Sequence, residues 1–175
     1  MRIALITPLA AAFLLAACGS QDSVTAESAS PEFVATKAAA GHNEPNTGRW
    51  RWTSRIDKID AAGLSPEERD ALGKPSIQFT CVTADTLGKV HVEAFQKGKD
   101  GCTYDQFTMQ RGVLNAGLTC AKGGRQDKLT MTGTYSPADY QITTTGPIEP
   151  KPGVVGNATV SLEGIMMGEC DGTEK

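Results

Sequence analysis

Cysteine is the residue with the most chemistry to offer in this 175-residue chain, and Cys81, Cys102, Cys120 and Cys170 are spread from near its middle to its end. A structural zinc site needs clustered thiolates such as C-x-x-C pairs, whereas the closest spacing here is the eighteen positions from Cys102 to Cys120. Four scattered cysteines instead predict two disulfides, which fits an oxidising compartment. Two pairings suit the strand pattern: Cys102–Cys120 with Cys81–Cys170, or Cys81–Cys102 with Cys120–Cys170. Other catalytic material is sparse. His42 and His91 are the two histidines, with no base or nucleophile spaced to partner them. Glu67, Glu68 and Asp70 read as helix-capping and solvated carboxylates. No nucleophile elbow, phosphate loop or His-Glu-x-x-His motif occurs. The sequence therefore predicts no catalytic residue, no cofactor and no metal.

A fifth cysteine stands apart. Cys18 follows Leu15-Ala16-Ala17 at the end of a stretch with one basic residue, Arg2, and an apolar run from Ile3 to Leu15. That is an export signal too short to span a bilayer as a mature helix. A cysteine directly after the small pair predicts a bacterial lipobox: residues 1–17 are removed and Cys18 is acylated. A signal peptide cut at the same small residues, with Cys18 incidental, is the plainer alternative. Gly19, in place of an Asp, predicts delivery to the periplasmic face of the outer membrane. The bilayer, reached through acylated Cys18, is then the first partner.

The elements that must carry these residues follow from pattern. Residues 18–47 are rich in Ser, Thr, Ala, Glu and Pro and predict a flexible tether with a reach of about 30 Å. Within it, Pro31 to Ala40 has the makings of a transient helix. A head follows over residues 48–171, leaving a short tail at 172–175. Trp50, Trp52 and Ile56 alternate with polar neighbours and predict a strand with one buried face. Ser65-Pro66-Glu67-Glu68 up to Gly73 is a capped short helix. A second strand follows, with Ile77, Phe79 and Cys81 on one side and Gln78 and Thr80 on the other.

The segment 85–101 reads equally as strand or helix. Beyond it, alternation is regular: Phe107 and Met109; Leu114, Ala116, Leu118 and Cys120; Leu129, Met131 and Tyr135; Tyr140 and Ile142; Ala158, Val160 and Leu162. Turns fall at Arg111-Gly112 and Ser136-Pro137-Ala138-Asp139, and a Pro/Gly-rich connection at 146–156. Thr130, Thr132, Thr134, Thr143, Thr144 and Thr145 predict solvated faces. Met166 and Met167 point to opposite faces. The fold class is mainly β: six or seven strands in an antiparallel meander curled as a barrel or half-barrel, with one short helix and two disulfides. A β-sandwich is the alternative if 146–156 crosses between sheets.

Charge narrows the partners. Lys plus Arg number 17 against 20 Asp plus Glu, a formal net charge of −3, which supplies no basic footprint for nucleic acid.

The landmarks Gly48-x-Trp50, Cys81-Val82-Thr83, Gly101-Cys102-Thr103-Tyr104, Cys120, Met131-Thr132-Gly133-Thr134-Tyr135-Ser136 and Gly168-x-Cys170 occur in an order that resembles the proteobacterial envelope proteins of domain of unknown function 3617. The resemblance spans about residues 46 to 171, and Lys89 to Phe95 departs from it in being more strand-like. It implies an exported domain of unassigned activity, with no catalytic residues to transfer. The expected function is a membrane-tethered, non-catalytic binding or interaction module for an envelope protein or a small apolar ligand. An enzyme or enzyme inhibitor acting on envelope polymers through Tyr104, Tyr135 or Tyr140 is the alternative.

Overall fold

The computed structural model describes residues 23–41, 43–86, 101–122 and 124–174. From Cys102 onward the chain makes five consecutive strands: β4 (Cys102–Gln110), β5 (Val113–Lys122), β6 (Arg125–Tyr135), β7 (Asp139–Lys151) and β8 (Val154–Gly168). Every connection is too short for a crossover, so neighbours are antiparallel. At the β4–β5 turn, Arg111 and Gly112 both take positive φ, 51° and 76°. A two-residue hairpin matched to the sheet's twist requires that combination.

Earlier strands join at the two ends of this meander. β2 (Gly48–Ala61) lies against β8, β3 (Ser76–Val82) against β2, and β1 (Val24–Ala29) against β4. The order is β1-β4-β5-β6-β7-β8-β2-β3, with β1 and β3 as unjoined edges. The sheet is therefore an open half-barrel, neither a closed barrel nor a sandwich. The 146–156 stretch, expected as a connection, is mostly strand: β7 runs to Lys151, turns at Pro152–Gly153 and returns as β8. β6 pairs with β7 only as far as Thr145. Pro147 and Pro150 thus lie where one side of β7 is free and a missing N–H costs no ladder bond.

Register gathers the apolar residues on one face. One row across β5, β6, β7, β8 and β2 reads Leu114, Gly133, Ile142, Leu162, Ser54; the next reads Ala116, Met131, Thr144, Val160, Ile56. Thr144, expected outside, therefore faces inward, while its flanking threonines are exposed. Gly164 stands beneath the indole of Trp52, where an added Cβ would overlap the ring.

The expected tether is largely structured. β1 buries Val24, Ala26 and Ala29, and a helix, α1 (Pro31–Ala40), follows it. Ser30 caps α1 by accepting from Phe33 N, with Pro31 at the first helical position. Val34, Ala35 and Ala38 join the buried cluster of Trp50, Tyr104, Phe107 and Met109. Alanines give little amphipathic signal, yet small side chains are what a helix inside a half-barrel has room for. The connection to β2 is fastened too: Tyr140 Oη donates to Asn43 O at 3.0 Å and Trp50 Nε1 to Asn46 O at 2.9 Å.

The second helix, α2 (Pro66–Leu72), has the expected capping box between Ser65 and Glu68. It buries no residue and is held by polar contacts. Arg69 donates to Ile59 O at 3.2 Å and Ala61 O at 2.7 Å, and Lys151 meets Glu68 at 2.7 Å. β3 covers β2 only to Ser54; beyond it, α2 screens the carbonyls β2 would otherwise present as a bare edge.

β3 turns its apolar side outward. Ile77 and Phe79 are 55% and 38% exposed. Gln78 and Thr80 lie opposite Trp52 and Trp50. The odd positions therefore share the outer face with Arg49 and Arg51, where, among the described residues, only the short stretch after Cys170 lies over Arg49. Cys18, His42, His91 and most of the ambiguous 85–101 segment lie outside the described residues.

Candidate functional site

The four cysteines of the head form two disulfides, Cys102–Cys120 and Cys81–Cys170. Cys102 and Cys120 are direct partners on the β4–β5 ladder, with Cα atoms 3.8 Å apart. Cys81–Cys170 ties edge strand β3 to the chain just after β8, across the start of β2. At that crossing Gly48 has φ 141°, and a Cβ there would collide with Gly168 O. Arg49 fastens the same strap. Its guanidinium meets Asp171 at 2.7 Å and Glu174 at 3.6 Å, and lies 5.0 Å from the Phe79 ring centre. The residues expected as a loose tail are thus held as far as Glu174. Hydrogen bonds from the Thr173 side chain and amide hold the Asp171 carboxyl below the usual carboxylate range, with Arg49 adding to them.

The inner face divides into two parts. On β4 and β5, and at Trp50 on β2, it is sealed by α1 and the 43–47 connection: Trp50, Tyr104, Phe107, Met109 and Leu114 are buried. Aromatic rings interlock there. Trp50 stacks on Trp52 at 5.4 Å and meets Tyr140 edge-on at 5.9 Å, and Tyr104 meets Phe107 edge-on at 5.3 Å. Over β2 and β8, and at Leu129 on β6, the same face stays apolar but is only half covered. Trp52, Ile56, Leu129, Val160 and Leu162 are all half-buried, and Trp52, Leu129 and Leu162 pack against the edge of the sealed cluster. Sequence alternation identifies all of these as inward-facing; it carries no signal for where the covering helix stops.

The residues considered for catalysis do not assemble. Tyr104, Tyr135 and Tyr140 are buried, and desolvation raises the pKa of each phenol, well above the ordinary tyrosine value for Tyr104 and Tyr140. They stand on the inner face among apolar neighbours, offering neither phenolate nor access. Glu68 is engaged by Lys151 and by the Ser65 amide, which lower its pKa. Asp57 is held low by Ser161 first and then by Arg55. A groove of about 730 Å³ under α2 is lined by Arg55, Asp57, Lys58, Arg69 and Asp70. Its charges are mixed, and Arg69 is committed to β2. Among the described residues no three His, Cys, Asp or Glu side chains converge to hold a metal ion, and no helix is long and apolar enough to cross a membrane. Met166 packs on the core while Met167 is 52% exposed, as their opposite faces predict.

Sheet, covering helix and two staples together define a small, disulfide-bonded, open antiparallel β domain. The family model described as "Protein of unknown function (DUF3617)" matches residues 45–170, and the chain belongs to that family. The match begins after β1 and α1, so the strand and helix that seal the inner face stand outside it. No curated protein and no solved structure matches the chain.

Proposed function

We propose that the protein is a non-catalytic binding module of the bacterial envelope, anchored through acylated Cys18 on the periplasmic face of the outer membrane, which takes a small apolar group onto the half-covered part of its inner face. The observation that carries this reading is the division of one apolar face into a sealed part and a half-exposed part. Leaving Trp52, Ile56, Val160 and Leu162 partly in water sacrifices about 25 cal/mol for every Å² of apolar surface that stays wet. A bound acyl chain or similar group recovers that term. The buried, protonated tyrosines and the engaged carboxylates give no support to an enzyme acting on envelope polymers.

Titration of the purified protein with a single-chain fatty acid tests the ligand reading, followed by Trp fluorescence. Trp52 is half-buried beside the proposed site, so saturable binding shifts its emission, and Leu162→Arg abolishes the shift. Absence of saturable binding, together with native mass spectra that show no bound small molecule in protein from its own host, overturns the reading. The anchor is tested separately: wild type incorporates labelled palmitate and Cys18→Ala does not.

A further inference from the structure

The fold shortens the expected tether and thereby fixes an orientation. β1 begins at Val24, so five residues, Gly19 to Ser23, separate it from Cys18. Even fully extended, the six residue steps from Cys18 to Val24 span at most roughly 20 Å. Val24 opposes Met109, two positions before the Arg111–Gly112 turn, whereas Ala29 at the other end of β1 opposes Tyr104. The anchor therefore reaches the sheet at its β4–β5 turn. The β6–β7 turn shares that end, since Tyr135 N donates to Gly112 O and Met166 N to Ala138 O. Two exposed apolar side chains flank these turns, Val113 at 47% and Met167 at 52%. The opposite end carries the Pro152–Gly153 turn, α2 and a third exposed side chain, Val155 at 49%.

We propose that the end formed by the Arg111–Gly112 and Pro137–Ala138 turns rests on the phospholipid bilayer, with Val113 and Met167 against lipid, and that the end carrying α2 and the Pro152–Gly153 turn points away from the membrane. The proposal rests on the Cys18 anchor of the preceding reading. Charge at this end is mildly acidic: Arg49 and Arg111 stand against Asp139, Glu169, Asp171 and Glu174, with Asp171 and Glu174 engaged by Arg49, so the end offers anionic lipid no attraction. Contact is therefore set by the short covalent leash and apolar side chains, with little dependence on anionic lipid.

The test uses the full-length acylated protein in vesicles of phosphatidylethanolamine and phosphatidylglycerol. A photo-cross-linking amino acid replaces Val113, Met167 or Val155 in turn, all exposed positions that tolerate substitution. Lipid adducts several-fold more abundant at 113 and 167 than at 155 support the orientation. Equal adducts at all three, or adducts at 155 alone, overturn it. Palmitate incorporation is measured on the same samples. Acylated protein without adducts at 113 and 167 overturns the orientation alone, whereas loss of the acyl label overturns the anchor and the orientation together.

Discussion

β1 and β3 end the same sheet at opposite edges, yet different physics holds them. β1 turns Val24, Ala26 and Ala29 inward, and α1 packs beside it against β4. It needs no covalent link. β3 exposes residues 76–80 on both of its faces and buries only Val82. Its attachment is the ladder to β2 and the Cys81–Cys170 disulfide. An edge with room for a helix inside the curve is kept by burial; an edge without cover is kept by a bond that limits how far the chain can stray.

Four measurements would break or sharpen this contrast. The largest expected effect is on the β1 side: Phe107 lies opposite Ala26 and is 1% exposed, so Phe107→Ala costs about 3–5 kcal/mol in urea unfolding. A near-neutral result would show that packing does not hold that edge. Next, Cys81→Ser combined with Cys170→Ser opens a loop of 89 residues and costs about 2–4 kcal/mol. The corresponding loop for Cys102–Cys120 is 18 residues, and its removal costs less. Hydrogen exchange in the first double variant should accelerate in β3 before any other strand; acceleration beginning in β1 would reverse the assignment.

The third measurement is pH. Tyr104 and Tyr140 have phenol pKa values raised by desolvation, so the fold binds their protons more tightly than the unfolded chain does. Their contribution is fully present below the ordinary value of 10.0 and is lost as pH rises beyond it. Tyrosinate absorbance should therefore appear together with loss of structure, not before it. The lowered carboxylates Asp57, Glu68 and Asp171 act in the opposite sense. Their stabilisation is present above the ordinary carboxylate range and fades as pH falls below it, and solvent exposure keeps that acid effect small. The smallest effect belongs to Ile77→Thr, which should shift stability by no more than about 0.5 kcal/mol in thermal melts. A larger loss would mean that β3 is covered after all.

Legibility in the sequence followed side-chain size and covalent logic. The meander from Phe107 to Ile142 was readable because large apolar residues alternate there, whereas the glycines and prolines of 146–156 hid the end of β7 and the start of β8. Ser65-Pro66-x-Glu68 announced α2 because capping is local. Cys102–Cys120 with Cys81–Cys170 was one of two pairings compatible with the pattern, and only the register of β4 on β5 decides between them. β1 was hidden, and the Pro31–Ala40 helix was legible only as a transient one, because alanine carries almost no amphipathic contrast. Which face of β3 meets the core was not legible, because alternation shows that two faces differ without showing which one is inside. Ile77 and Phe79 are apolar and outward because β2 presents Arg49 and Arg51 on that side. The half-covered inner face was invisible for a similar reason: Leu162 and Leu114 look alike in sequence, and only the extent of α1 separates them.

The strand order also sets a timetable for the chain. β2 has a neighbour in β3 soon after it is made, but its longer partnership is with β8, the last strand. β1 must likewise wait for β4. A chain that emerges N-terminus first, from a ribosome or an export channel, therefore holds Trp50 and Trp52 without their main partners until nearly the whole sequence has appeared. Assembly is then a single late event dominated by distant pairings, which places refolding in the range of milliseconds to seconds. Any stall before β8 leaves the aromatic strand open to chaperones and proteases.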